Sequence, residues 1–476
     1  MEIFLTFILL IIIYFLLQRV VKIPQPIFLL CLALFSLIIY YPGVPQSDVD
    51  FIYQNFLTGK YSDWQPPLYS IWWHLFHFKS ADFIMNIVIY YAGLIYISYV
   101  LYRKKLHWQN NLLVLFSFYP LYATQLVIIL KDVPYTGFLI ISVATLLALQ
   151  IHQQRLVRVL LWIVFFSANF MAIGFKYNGG FAVYPMLVLG VYIMLWNLKD
   201  VRLASKPIYL ILGSLIAALL IDVAMIFANN VITEDIFNAE KSHSSVLVMY
   251  NDLANLECSS GNEIIPDEYF ISSDRRSMMC NPFFINYRNY EPLFTPNWSG
   301  MNNPGILYYD NKMDDAKFKN LRSIWAKSVV TNLSDYTEYR AKFLINMVFS
   351  QWWWTPLSAD NPSNMQVKLS ELALGERRAL GGINGFILII GNIAVLIYCL
   401  FYRRSWLALV VILSSFAQLT SLYLVLGVPA ARFFFWNYIA IFIALAMTGI
   451  DSRTIQEKLS TNKMGVVEQK KNRKRK

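Results

Sequence analysis

Apolar runs of about 20 residues recur along this chain, and they constrain its fold more than any other feature. A run of that length matches the hydrocarbon thickness of a bilayer. There, a single segment satisfies its own backbone hydrogen bonds only as a helix. About eleven such spans can be drawn: 3–18, 25–41, 82–102, 110–129, 134–151, 156–173, 178–196, 208–229, 382–401, 405–426 and 433–450. With 57% apolar and 14% charged residues, the composition also lies outside that of ordinary soluble proteins. The expected fold is an all-α polytopic membrane protein. Ile3–Leu17 has no basic n-region and no A-x-A-like cleavage site after it, so it reads as a retained span.

The formal net charge of +11 suggests nucleic-acid binding until its distribution is considered. Basic residues follow alternate spans: Arg19 and Lys22, Arg103 to Lys105, Arg155 and Arg158, Lys199 with Arg202 and Lys206, Arg403 and Arg404, then Arg453 and the terminal KKNRKRK. Cations in short loops on one side are orientation signals, and that side is cytoplasmic. The N-terminus is therefore expected outside and the C-terminus inside, with no nucleic-acid partner. Residues 42–81, 130–133, 174–177, 230–381 and 427–432 fall outside.

This pattern divides the chain into an N-terminal transmembrane module (1–229), an α-rich extracytoplasmic domain (230–381), C-terminal transmembrane helices (382–452) and a basic cytoplasmic tail (453–476). The domain lies between the eighth and ninth spans. Trp325 to Trp354 reads as one or two amphipathic helices with tryptophans at membrane level. Cys258 and Cys280 lie in the same domain. They form a disulfide if it faces an oxidising compartment and remain two thiols otherwise. His74 and His77 stand one helical turn apart and read as structural, and no metal constellation stands out.

The candidate chemistry sits in the outside loops. The first carries Asp48, Asp50 and Asp63, and leaves through Gln65-Pro66-Pro67. Carboxylates beside a bilayer are costly and mark sites by default. The second loop carries Lys131 and Asp132, the third Lys176 within GFKYNGG, and the last Arg432. One face thus offers carboxylates and three cations at headgroup depth. Cations there suit a phosphate or diphosphate. A carboxylate can take a hydroxyl proton as a new bond forms. Simpler roles compete: helix N-capping for Asp48 or Asp50, mutual pairing of Lys131 and Asp132, snorkelling for Lys176, and a cation–π contact for Arg432.

In these residues the chain resembles the GT-C superfamily of polytopic glycosyltransferases. The resemblance rests on Tyr41-Pro42-Gly43 before the acidic loop, the Pro-containing loop exit, and Lys131-Asp132-Val133-Pro134. It continues in Lys176-Tyr177-Asn178-Gly179 before a span and in Arg432 near the last span. It is strongest to a poorly characterised bacterial subgroup, from which the loop exit departs: Gln65 stands where histidines precede the proline. The resemblance implies a bacterial plasma (inner) membrane protein. Its donor would be a polyprenyl-phosphate-sugar and its acceptor an extracytoplasmic glycan or glycolipid. Asp48 would be the base, assisted by Asp50, with Lys131, Lys176 and Arg432 on the donor phosphate. Asp63, Asp132 and Gln65 are secondary candidates, and some branches of the superfamily use a divalent cation. Two other readings stay open. A transporter or flippase of a lipid-linked glycan would account for Asp222 inside a span. A surface-glycan ligase or polymerase would account for the pair Arg275-Arg276.

Overall fold

The structure is a computed structural model. It describes residues 2–43, 47–63, 65–76, 80–117, 126–198, 207–270, 276, 279–280, 313–349, 367–368, 371, 385–403, 405–425 and 431–450. Among these, every regular element is helical, and an isolated parallel bridge joins Ser62 to Glu240.

The N-terminal helices are α1 (Glu2–Val20), α2 (Gln25–Tyr40), α3 (Ser47–Thr58), α4 (Pro67–Phe76), α5 (Ala81–Arg103) and α6 (His107–Ser117). Next come α7 (Asp132–Ile151), α8 (Arg155–Phe175), α9 (Gly179–Leu198) and α10 (Pro207–Asn230). The polar segment contributes α11 (Val246–Ser260), α12 (Asp315–Thr331) and α13 (Leu333–Val348). The chain closes with α14 (Gly385–Tyr402), α15 (Trp406–Val425) and α16 (Phe435–Met447).

Seven helices among the described residues are long and apolar enough to cross a membrane: α5, α7, α8, α9, α10, α14 and α15. Those near 3–18, 25–41 and 433–450 are apolar but shorter over their described residues. The expected span 110–129 is helical over its described start, to Ser117, and its last residues are not helical, since 127–130 is non-helical. Helix α10 overruns its expected end at 229, continuing through a π-helical turn, Val231–Ile236.

Helix α7 is the axis of the bundle, with 83% of its apolar window buried, whereas only 17% is buried along Ile208–Ile236. A helix apolar on all sides belongs inside; one whose apolar surface stays uncovered by protein suits lipid. Helices α5 and α7 run parallel. Gly93 lies against Ile140 and Ile141, and Gly137 against Ile89 and Tyr90. A Cβ at Gly93 would come 3.0 Å from the Ile140 carbonyl carbon, and one at Gly137 3.0 Å from the Tyr90 nitrogen. Small residues therefore let these backbones touch, as membrane helices require where water cannot drive association.

Polar side chains join the remaining helices. Ser415 donates to Asn392 Oδ1 at 2.6 Å, Asn437 donates to the Ser415 carbonyl at 2.6 Å, and Trp436 Nε1 donates to Ser414 Oγ at 3.1 Å. Ser414, Gln418 and Ser421 recur at i, i+4 and i+7 on α15, so they share one face. All three are buried.

Candidate functional site

Residues from four of the five expected outside loops meet at the end of the bundle where α5, α7 and α9 begin. Two contacts bind the first loop to its neighbours. Lys131 donates to Gln65 Oε1, and the Tyr177 hydroxyl donates to the Asp63 carbonyl. A third ties it to the segment after α10. Asp63 Oδ1 accepts from both the backbone N–H and the hydroxyl of Ser242, and the Asp63 N–H donates to the Glu240 carbonyl at 2.9 Å. Phe433, at the start of the last expected span, also reaches this end.

At the centre, Lys176 Nζ lies 2.7 Å from Asp132 Oδ1, and both side chains are 6% exposed. Asp132 is the first residue of α7, and Lys176 follows the last residue of α8. The ammonium stands 4.9 Å from the Tyr135 ring centroid and 5.3 Å from that of Phe433, distances at which ring faces attract a cation. The Tyr135 hydroxyl donates to Gln418 Oε1 at 2.6 Å, and Asn178 Nδ2 donates to Ser421 Oγ at 2.8 Å. The polar face of α15 thus closes the site from below.

The geometry changes several expectations. Lys131 and Asp132 are adjacent and reach different elements: the first donates to Gln65 and the second pairs with Lys176. Lys176 is buried in an ion pair instead of snorkelling. Asp63 is engaged as a latch between loop and domain. Asp48 and Asp50 fall in the first turn of α3, and Arg432 in the turn Ala431–Phe434. The side chains of these three lie outside the described residues, as do Arg275 and His77. Helix α3 is itself anchored, with Phe56 stacked on Trp73 at 5.8 Å and its carbonyl 3.2 Å from His74 Nδ1.

Sequence reasoning missed a second acidic group. Asp82, near the start of α5, accepts from the Tyr69 hydroxyl and from Asn86 Nδ2 at 3.2 Å. Tyr69 is wholly buried and packs edge-on against Phe175, next to Lys176. Its burial, with the Asp82 and Asp132 carboxylates beside it, holds its phenol well above the usual range. A carboxylate two residues into an apolar run, with a tyrosine in the preceding loop, was the available signal.

The polar segment between α10 and α14 has its own charge centres. Arg340 and Asp252 pair with no exposure, and the Trp325 indole donates to the same carboxylate. Arg276 contacts Glu257, Glu263 and Asp267, donates to the Ile265 carbonyl, and stacks on Phe270. Cys258 and Cys280 form a disulfide around it.

Chemically, the loop end offers buried carboxylates, one ammonium held among aromatics, and phenols at the boundary of the apolar bundle. No group of three or more His, Cys, Asp or Glu suited to a metal occurs among the described residues. Comparison with protein-family models, curated proteins and solved structures finds no match.

Proposed function

We propose that this chain is a GT-C-type membrane glycosyltransferase, moving a sugar from a polyprenyl-phosphate carrier to an extracytoplasmic surface glycan. In this reading Asp48, assisted by Asp50, takes the proton of the acceptor hydroxyl. The acceptor oxygen bonds to the anomeric carbon as the bond from that carbon to the phosphate oxygen breaks. Lys131 and Arg432 steady the departing polyprenyl phosphate. Lys176 joins them only by exchanging Asp132 for the phosphate.

The observation that carries the reading is the meeting of four expected outside loops at one end of an apolar bundle, with acidic and basic residues interleaved. A lipid-linked donor and a polar acceptor need such a boundary. The proposed arrangement has eleven spans, with the site end facing outward across a bacterial inner membrane. Its support is the basic clusters at the opposite end, where α5 ends at Arg103 and α8 starts at Arg155. The Cys258–Cys280 disulfide fits an oxidising compartment for the domain.

Glycan analysis of cells carrying the wild type, a deletion, or Asp48→Asn tests the proposal. Loss of a surface sugar in the deletion, restored by the wild type and not by Asp48→Asn, supports it. Restoration by Asp48→Asn removes Asp48 as base.

A second reading, movement of a lipid-linked glycan, draws on Asp222. This carboxylate lies within Ile208–Ile236, and its Oδ1 is buried without a hydrogen bond. Accumulation of glycosylated carrier on the inner leaflet would favour it. A ligase with paired arginines loses support, because Arg276 is taken up by three carboxylates.

A further inference from the structure

The Asp82 group contains more acceptors than donors. Asp82 and Asn86 are each 1% exposed and stand one turn apart on α5. Both donors reaching the carboxylate, the Tyr69 hydroxyl and Asn86 Nδ2, use its Oδ2. Asp82 Oδ1 and Asn86 Oδ1 are buried with no hydrogen-bond partner. Buried polar atoms are rarely left so, and each carries a desolvation cost.

The surrounding charges do not balance. Helix α4 brings Tyr69. Helix α7 brings Tyr135 and Asp132, and Asp132 acts electrostatically on the same Tyr69 hydroxyl. Lys176, at the end of α8, is bound to Asp132. Helix α2 ends at Tyr40, after which Gly43 packs on Phe83. Helix α6 meets α5 at Ser98 and Asn110, four turns further along. Among the described residues, Asp82 has neutral partners, Tyr69 and Asn86, and no cationic side chain pairs with it. The N-terminus of α5 supplies only about half a charge. An uncompensated carboxylate at this burial is strongly unfavourable.

We propose that Asp82 and Asn86 form a site for one monovalent cation, a sodium ion or a proton. Sodium would bind Asp82 Oδ1 and Asn86 Oδ1, since hard cations favour carboxylate and carbonyl oxygen. A proton would reside on Asp82 Oδ1. Either brings the group to neutrality. A divalent ion would overshoot it. The site does not depend on glycosyl transfer, and its test reads stability alone.

The experiment is thermal unfolding of the purified full-length protein in detergent, in sodium chloride or choline chloride at equal ionic strength, at mildly acidic and mildly alkaline pH. Wild type is compared with Asp82→Asn, which keeps the shape and removes the charge. A Tm raised by sodium over choline in wild type, with the rise lost in Asp82→Asn, assigns sodium. A Tm raised by acid in wild type, flattened in Asp82→Asn and indifferent to sodium, assigns a proton. Equal responses of the two proteins to both variables overturn the site. Asn86→Ala, which leaves the carboxylate in place, is the second variant. A response to cation or pH below that of wild type supports the site, and an unchanged response counts against it.

Discussion

Arg340 Nη2 lies 2.7 Å from Asp252 Oδ1, and neither side chain has any exposed surface. The guanidinium also stands 5.6 Å from the Tyr336 and Tyr339 ring centroids and 5.9 Å from that of Phe343. The pair joins α11 to α13. Removing one partner strands the other charge, at a cost of about 3–5 kcal/mol. Arg340→Met and Asp252→Leu should each lower the free energy of unfolding by that order, seen as an earlier midpoint. The double variant should lose much less than the sum of the two. Denaturant unfolding of the three variants measures the coupling.

The Lys176–Asp132 pair should behave in the same way inside the bundle. Lys176→Met leaves the Asp132 carboxylate buried without its ammonium. The expected outcome is strong destabilisation, seen as a lower Tm in detergent and less protein in the membrane. Adding Asp132→Asn should recover part of the loss, with an interaction energy of about 0.5–3 kcal/mol. Additive effects would show that the two side chains act separately.

The loop closed by Cys258 and Cys280, 22 residues apart in sequence, is a third test. Closing a loop of that size stabilises by about 3 kcal/mol in the chain-entropy account. The double serine variant should unfold earlier by that order, and wild type should migrate faster without reductant than with it. Arg276→Lys should be nearly as damaging as Arg276→Ala. A lysine cannot reproduce a planar fork that contacts three carboxylates and a carbonyl while stacking on Phe270.

Two adjacent glycines should differ sharply. A Cβ at Gly179 would come 2.5 Å from the Ala172 carbonyl oxygen, a backbone atom with no room to yield. At Gly180 its nearest neighbour is Asp222 Oδ2 at 3.1 Å, on a side chain that can turn. Gly179→Ala should cost about 1–3 kcal/mol, as overpacking does. Gly180→Ala should cost less. Matched thermal melts of the two variants decide.

The apolar runs made the helices legible, because burial in lipid leaves a backbone few alternatives. The non-helical stretch 127–130 was not legible, since apolar residues such as Val127 to Leu130 suit a buried turn as well as a span. The loops that meet at the site were readable from charge placement, but their partners were not. Local sequence offers Lys131 beside Asp132, whereas the fold sends each to a residue more than 40 positions away. Asp82 was lost inside the apolar run that identifies α5. The polar face of α15 escaped notice because its hydroxyls and amide are spread through a hydrophobic helix.

The Asp63–Ser242 latch has a mechanical corollary. The ring of hydrogen bonds through Ser62, Asp63, Glu240 and Ser242 fastens the stretch after α3 to the stretch after α10. Those stretches lead back to Asp48 and Asp50 on one side and forward to the disulfide-bonded domain on the other. Breaking these bonds would therefore loosen both stretches together.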